Sequence, residues 1–272
     1  MPTLRGPASH ARNAIARRAI HAWLVCLLVL VSCNAIDSPS TRRYMMSSPI
    51  LLQIPVRGFF ICPNTPGSRI PSHGIDKYGV EYAIDFVILD DNAASRKPYR
   101  SRFFTYINRG LPLSDFYGWG SEIYSPVSGV VAQVVDGVEE RNPVNVFNDL
   151  RYAGRIARQY DDGLVDSPYL IGNSVVIKTN QSAYIVLAHL QENSVLVEPG
   201  QSVDGSTVIG KLGHSGNSTM PHLHLQAMDS LDFRKAKGIP IVFSQYYTVE
   251  GGNLVEVRDS IPRKDQVMFF GR

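Results

Sequence analysis

Cysteine is scarce, with three in 272 residues. Cys26 and Cys33 fall in an N-terminal leader, which leaves Cys62 without an intramolecular partner, so no disulfide framework holds the fold. Cys62 itself reads as a structural residue rather than a thiol nucleophile. An excess of charge is also missing. The formal net charge is +3, but Arg5, Arg12, Arg17 and Arg18 lie in a leader without acidic residues, and the remainder carries 23 basic against 24 acidic residues. A near-neutral body has no electrostatic footprint for nucleic acid, and none is expected as a partner. No internal repeat or low-complexity tract is evident.

The apolar run of residues 22–31 is too short to cross a bilayer comfortably, but it suits the core of a signal peptide behind a basic start. It ends Leu30-Val31-Ser32-Cys33, which resembles the bacterial lipoprotein signal. That resemblance implies a leader of residues 1–33, a lipidated Cys33 at the start of the mature chain, and a place on the bacterial envelope; the rival reading is an ordinary secretory signal or membrane anchor that happens to hold a cysteine. Residues 34–49, rich in Ser, Pro and Arg, read as a flexible tether. Residues 50–272 are long enough for one sizeable domain, and 44% of the chain is hydrophobic.

Short Val- and Ile-rich runs between Gly- and Pro-rich turns predict a mainly β fold. Expected strands cover residues 50–62, 81–89, 123–135 (a strand, turn, strand unit), 172–178 with 183–190 as a hairpin, 195–210 as a tight β-turn unit, and 238–244. Residues 136–170 form a long charged segment with a helix expected over 145–159; loops of this length usually serve a function, so it reads as an insertion beside an active site. Residues 90–119 mix Arg96, Arg100 and Arg102 with Phe103, Phe104, Tyr106, Phe116, Tyr117 and Trp119. Such residues suit either a groove for glycan or peptide, or a core closed under a loop. The tail to Arg272 shows no clear element.

Two features carry chemistry. Asp85 stands inside the apolar run Tyr-Ala-Ile-Asp-Phe-Val-Ile, where an ionised carboxylate costs on the order of several kcal/mol unless paired or metal-bound. Residues 213–226 read Gly-His-Ser-Gly-Asn-Ser-Thr-Met-Pro-His-Leu-His-Leu-Gln. If the Pro221 end is extended, His222 and His224 share one face while Leu223 and Leu225 enter a core. Paired imidazoles can place one on a metal and the other on a reacting group.

The stretch 215–226 resembles the signature of lysostaphin-type zinc endopeptidases, which cut peptidoglycan cross-links; Met220 stands where that family usually has a small residue. The Ser-His-Gly loop at His73 followed by Tyr-Ala-Ile-Asp-Phe resembles one subgroup's first motif. Ala-His-Leu at His189 resembles the family's Tyr-x-His-Leu. The resemblance implies antiparallel sheets forming a groove (the lysostaphin-type, duplicated-hybrid β fold) with long loop insertions. It further implies Zn²⁺ held by His73, Asp85 and His224, with His189 and His222 as catalytic residues, and peptidoglycan stem peptides as substrate. In the commonest family pattern the first ligand stands four residues before the Asp, and that position here is Glu81. Glu81 and His73 are therefore rival first ligands, His73 preferred and Glu81 placed at the cleft rim. His214 lies outside the family positions and reads as a rim turn residue.

Two other readings compete. A degenerate envelope protein could bind wall or regulate another hydrolase without catalysis. The Ser-Pro-Val-Ser-Gly and Val-Glu-Pro-Gly-Gln turns also resemble biotinyl or lipoyl carrier domains, but those need a lysine at the hairpin tip, and Val203-Asp204-Gly205 offers none.

Overall fold

The computed structural model describes residues 48–91 and 96–271. The leader, Cys33 and most of the tether lie outside them. No helix among the described residues is long and apolar enough to cross a membrane.

The architecture is mainly β. One large sheet has the order β1-β11-β13-β2-β3-β10-β7-β6-β5-β8, with β12 paired to β11. Its strands are β1 (Ile50–Leu52), β2 (Gly58–Ile61), β3 (Ile84–Ile88), β5 (Gly129–Val135), β6 (Asn173–Lys178), β7 (Tyr184–Leu190), β8 (Ser202–Val203), β10 (Leu223–Met228), β11 (Ile241–Glu250), β12 (Asn253–Ser260) and β13 (Met268–Phe270). A separate ribbon pairs β4 (Glu122–Tyr124) with β9 (Val208–Lys211). All pairings are antiparallel except β1 with β11, which is parallel. The expected antiparallel arrangement therefore needs that one amendment.

The expected first strand over 50–62 is two strands far apart in the sheet. Pro55 lacks an N–H, and Gly58 takes φ 85°, so the chain turns out of β1 and re-enters beside β3. The tail contributes β11, β12 and β13, where no element was expected beyond 244. β12 is almost wholly exposed, so it lacks the buried alternate residues that make a strand legible.

The main core lies on one side of the central strands. Ile84, Phe86 and Ile88 of β3, Leu223 and Leu225 of β10, and Ile185 and Leu187 of β7 all bury into it, as does the free Cys62. The opposite face of the same strands carries a smaller cluster with Val186, Ala188, Met228 and Phe233. This face is where the polar residues of β3 and β10 point.

Among the described residues three α-helices decorate the sheet: α1 (Phe103–Arg109), α2 (Val146–Asp161) and α3 (Ser167–Ile171). α2 sits close to the expected 145–159 span. Asn145 caps it, its side-chain oxygen accepting from Asn148 N at 3.1 Å, which relieves one unpaired donor of the first turn. In residues 90–119, Tyr99, Tyr106, Leu111, Leu113 and Phe116 form a third apolar cluster with Val144, so these aromatics close a core under the loop. Phe103 and Phe104 are the outliers, 40% and 76% exposed.

Candidate active site

β3 and β10 are neighbours, and their register sets Asp85 directly opposite His224. Both project to the face opposite the main core, because their neighbours along each strand are core residues. Asp85 Oδ1 lies 2.9 Å from His224 Nδ1 and 3.6 Å from His222 Nε2. Asp85 Oδ2 lies 3.1 Å from His73 Nε2 and accepts from Asn64 Nδ2 at 2.7 Å. His73 arrives from the loop that precedes β3. That loop is anchored by Ser72 N donating to Glu81 O at 2.9 Å, which folds it back over the strand. Donor atoms of His73, Asp85 and His224 lie within 4.8 Å of one another.

Glu81 is not on β3. The strand starts at Ile84, so the i, i+4 argument that would put Glu81 beside Asp85 does not apply. Glu81 is a buried turn residue, its Cβ near Gly238, rather than one at the cleft rim.

The outer nitrogens decide what the inner ones can do. Gln226 Nε2 donates to Tyr78 O at 2.8 Å, so its Oε1 is the atom facing His224 Nε2 at 3.0 Å. His224 Nε2–H then donates to Oε1, and Nδ1 is left bare toward Asp85. Likewise the Ser72 hydroxyl donates to Val80 O at 3.2 Å, and its oxygen accepts from His73 Nδ1–H at 2.9 Å. Bare ring nitrogens and carboxylate oxygens thus converge, and a positive species must stand between them. A proton can do so: burial opposes charge on His224, but the hydrogen bond and charge of Asp85 outweigh it and raise its pKa. A divalent cation fits equally, since two imidazoles and one carboxylate suit Zn²⁺ and outer partners of this kind orient ligating histidines. The spacings of 3.1 and 2.9 Å are close to the tetrahedral ligand separation of roughly 3.3–3.6 Å for bonds of about 2.0–2.2 Å. Burial also opposes ionisation of Asp85. The charges of His73 and His222 and the hydrogen bonds from His224 and His73 outweigh it, holding the carboxyl well below its usual range.

His189 and His222 are arranged differently. His222 Nδ1–H donates to Met220 O at 2.7 Å, and His189 Nδ1–H donates to Ser215 O at 3.0 Å. Each ring therefore leaves its Nε2 without the proton, that of His222 lying 3.6 Å from Asp85 Oδ1. Burial is the main reason both pKa values fall, that of His189 well below the usual imidazole value. The rings lie side by side, centroids 4.8 Å apart.

Simple alternation would put His189 on the face of Ile185 and Leu187, the core face. A β-bulge prevents this. Leu190 pairs with Asn173 and Leu187 with Val175, so β7 carries one residue more than β6 between these pairs. His189 takes φ 63°, a left-handed conformation uncommon outside glycine, and its ring swings to the other face.

His214 is not a rim residue. It is fully buried, its Nδ1 2.9 Å from Ser218 Oγ and its Nε2 3.4 Å from Asp149 Oδ1. Asp149 pairs with Arg141, Nε to Oδ1 at 2.7 Å. Met220, large where the resembled signature has a small residue, packs against the aromatic cluster of residues 99–116. The turn before it is held by two glycines back to back. Gly216 has φ 63° and Gly172 φ 67°, and a Cβ on either would overlap the other's backbone.

His73, Asp85, His189, His222 and His224 line a cleft of about 310 Å³. Its far wall is the insertion: Ala153 and Ala157 of α2, with Leu170 and Ile171 of α3. α2 also reaches the His73 loop, where Tyr160 meets Tyr78 edge to face at 5.1 Å and Asp161 lies 3.6 Å from Lys77. The insertion therefore stands beside the site, as its length suggested. Asn64, Ser72, Gln226, Arg141 and Asp149 were not singled out from sequence; Gln226 alone had a signal, two places after His224 on the same strand face.

Residues 151–237 match the model of peptidase family M23. Solved structures similar to the chain include a zinc-containing peptidase from Vibrio cholerae, 18% identical, covering 70% of this chain and 37% of that one, with TM-score 0.31. Csd3 of Helicobacter pylori is 20% identical, covering 66% of this chain and 30% of that one, with TM-score 0.33. The M23 metalloprotease pseudoalterin, from the deep sea, is 10% identical, covering 79% of this chain and all (100%) of that one, with TM-score 0.37. The chain thus spans well under two thirds of the Vibrio and Helicobacter proteins. The family match over residues 151–237 runs through His189, His222 and His224, and the structure gathers Asp85 and His73 at the same point, so over that segment the chain is similar to peptidase family M23.

Proposed function

We propose that the protein is a zinc-dependent endopeptidase that hydrolyses peptide cross-links of bacterial peptidoglycan, carried on the envelope by a lipidated Cys33. The observation that carries the reading is the division of the four histidines and Asp85 into two sets. His73, Asp85 and His224 turn bare donor atoms toward one point, and His189 and His222, their Nδ1 atoms engaged by backbone carbonyls, line the adjoining cleft with Nε2 unprotonated.

In this reading His73, Asp85 and His224 hold the zinc. When bound, zinc supplies a Lewis acid for the scissile carbonyl and eases deprotonation of water. His189 and His222 do the proton work. Their Nδ1–H groups are fixed on backbone carbonyls, and burial lowers both pKa values, which favours an Nε2 that accepts a proton from the attacking water. The protonated ring then donates to the leaving amine or to the developing oxyanion. Asn217 also lines the cleft, and its buried Oδ1 has no hydrogen-bond partner among the described residues, which suits an N–H of a bound peptide backbone.

The non-catalytic alternative predicts loss of some of these groups; Asp85, His189, His222 and His224 are kept, and His73 lies 3.1 Å from Asp85 although Glu81 stands at the commonest first-ligand position. The test is digestion of purified peptidoglycan followed by mass analysis of the muropeptides. New free stem-peptide termini are expected with zinc, and none with chelator or with His222→Ala. Wall binding without any bond cleavage would favour the non-catalytic reading.

A further inference from the structure

We propose that Arg141, in the segment inserted between β5 and β6, is a positioning residue for both His189 and His222. The proposal rests on the proton-transfer roles given to these histidines above. Their orientation depends on two carbonyls, Ser215 O and Met220 O, which accept from the two Nδ1–H groups. Both carbonyls belong to one turn, residues 214–220. Whatever fixes that turn fixes both rings and both tautomers.

Arg141 does this from outside the motif. Its Nη1 donates to Gly216 O at 2.7 Å, and its Nη2 donates to Ser218 O. One rigid guanidinium thus spans the interval between the two acceptor carbonyls. The guanidinium is itself held on both sides. Nε donates to Asp149 Oδ1 at 2.7 Å, and the Tyr152 ring lies 4.1 Å below the guanidinium carbon. Asp149 is locked in turn by Asn145 N, which donates to Oδ2 at 2.7 Å at the start of α2.

A second route runs through side chains. Asp149 Oδ1 lies 3.4 Å from His214 Nε2, and His214 Nδ1 lies 2.9 Å from Ser218 Oγ. Ser218 Oγ donates to Met220 O at 2.6 Å and lies 3.2 Å from His222 Nδ1. Asp149, His214 and Ser218 are all buried. The network therefore joins the first turn of α2 to the acceptor of His222 without touching His73, Asp85 or His224. A lysine cannot replace Arg141, because a single ammonium lacks the planar fork that serves Gly216, Ser218 and Asp149 together.

The experiment uses zinc-loaded protein with Arg141→Lys and Arg141→Met, and reads three quantities. Zinc content should stay at the wild-type level in both. On a soluble cross-linked muropeptide, kcat should fall about 10–100-fold with KM little changed, the range seen when partners behind functional groups are removed. Nitrogen-15 spectra of the histidine rings should show His189 and His222 as single Nδ1–H tautomers in wild type and as mixtures in the variants. Arg141→Lys retains a charge opposite Asp149 and serves if Arg141→Met fails to fold. Folded variants with wild-type kcat and unchanged tautomers overturn the proposal. If His189→Ala and His222→Ala both keep full turnover, the catalytic reading fails, while the tautomer spectra still decide the Arg141 clamp.

Discussion

His224 and Asp85 face each other as partners across β10 and β3, with Nδ1 and Oδ1 2.9 Å apart, although 139 residues separate them in sequence. The contact is a product of strand register. Shifting either strand by one residue would send one of the pair into the main core. Because Gln226 takes the other nitrogen of His224, the ring has one orientation and one free donor.

The purified protein should hold about one zinc per chain, because three protein donors with an open position suit zinc. His224→Ala should lose the metal, since two ligands bind weakly. His222→Ala should keep it and lose turnover by at least about 10²-fold, the usual scale for a general acid–base group. Elemental analysis paired with a turnover assay checks this, and equal metal loss in both variants would contradict the division of roles.

The rivalry for the first ligand has a direct test. His73 Nε2 lies 3.1 Å from Asp85 Oδ2, whereas Glu81 lies in the turn before β3. Competition with a chromogenic chelator should show a large loss of zinc affinity for His73→Ala and little change for Glu81→Gln. The reverse ranking would return Glu81 to the site.

The bulge at His189 has a conformational signature. Asparagine tolerates a φ of 63°, whereas β-branched valine does not, at a cost of about 1–2 kcal/mol. Both His189→Asn and His189→Val should abolish turnover, but chemical denaturation should find the valine variant the less stable. Equal stability would mean that the bulge relaxes when the ring is removed.

Asp149 gives a pH dependence with a defined sign. Burial raises its pKa, but hydrogen bonds from His214 and Arg141 outweigh that and lower it. A depressed folded-state value means the contribution is full above the unfolded value of about 3.9, and is lost as pH falls through the lower folded value. Asp149→Asn should destabilise by on the order of 1–3 kcal/mol at neutral pH. Thermal unfolding of both proteins, with zinc omitted, should show the gap narrowing toward pH 3; a constant or widening gap would contradict the assignment.

Cys33 carries the envelope proposal. Cys33→Ala should release the protein from membranes or block its maturation, and should abolish incorporation of labelled palmitate. Unchanged fractionation together with a leader cleaved elsewhere would remove the lipid anchor from the account.

The mainly β fold was legible in the sequence, because short apolar runs between Gly and Pro turns are a local signal. So was the pairing of His222 with His224 on one face, since alternation along a strand needs no knowledge of its neighbours. The helix expected over 145–159 lies at 146–161. What sequence alone left open was every relation between strands. Glu81 and His73 stayed rivals until the start of β3 was known. Parity along the strand puts His189 on the face of Ile185 and Leu187, and only the extra residue opposite Ser174, with the left-handed backbone of His189, turns it to the site. His214 read as a rim residue because it lies outside the resembled family positions; Asp149 and Arg141, from a different segment, bury it. Local periodicity is written within a few residues, whereas register, bulges and buried polar partners arise from pairing between distant segments, and that pairing is what assembles the site.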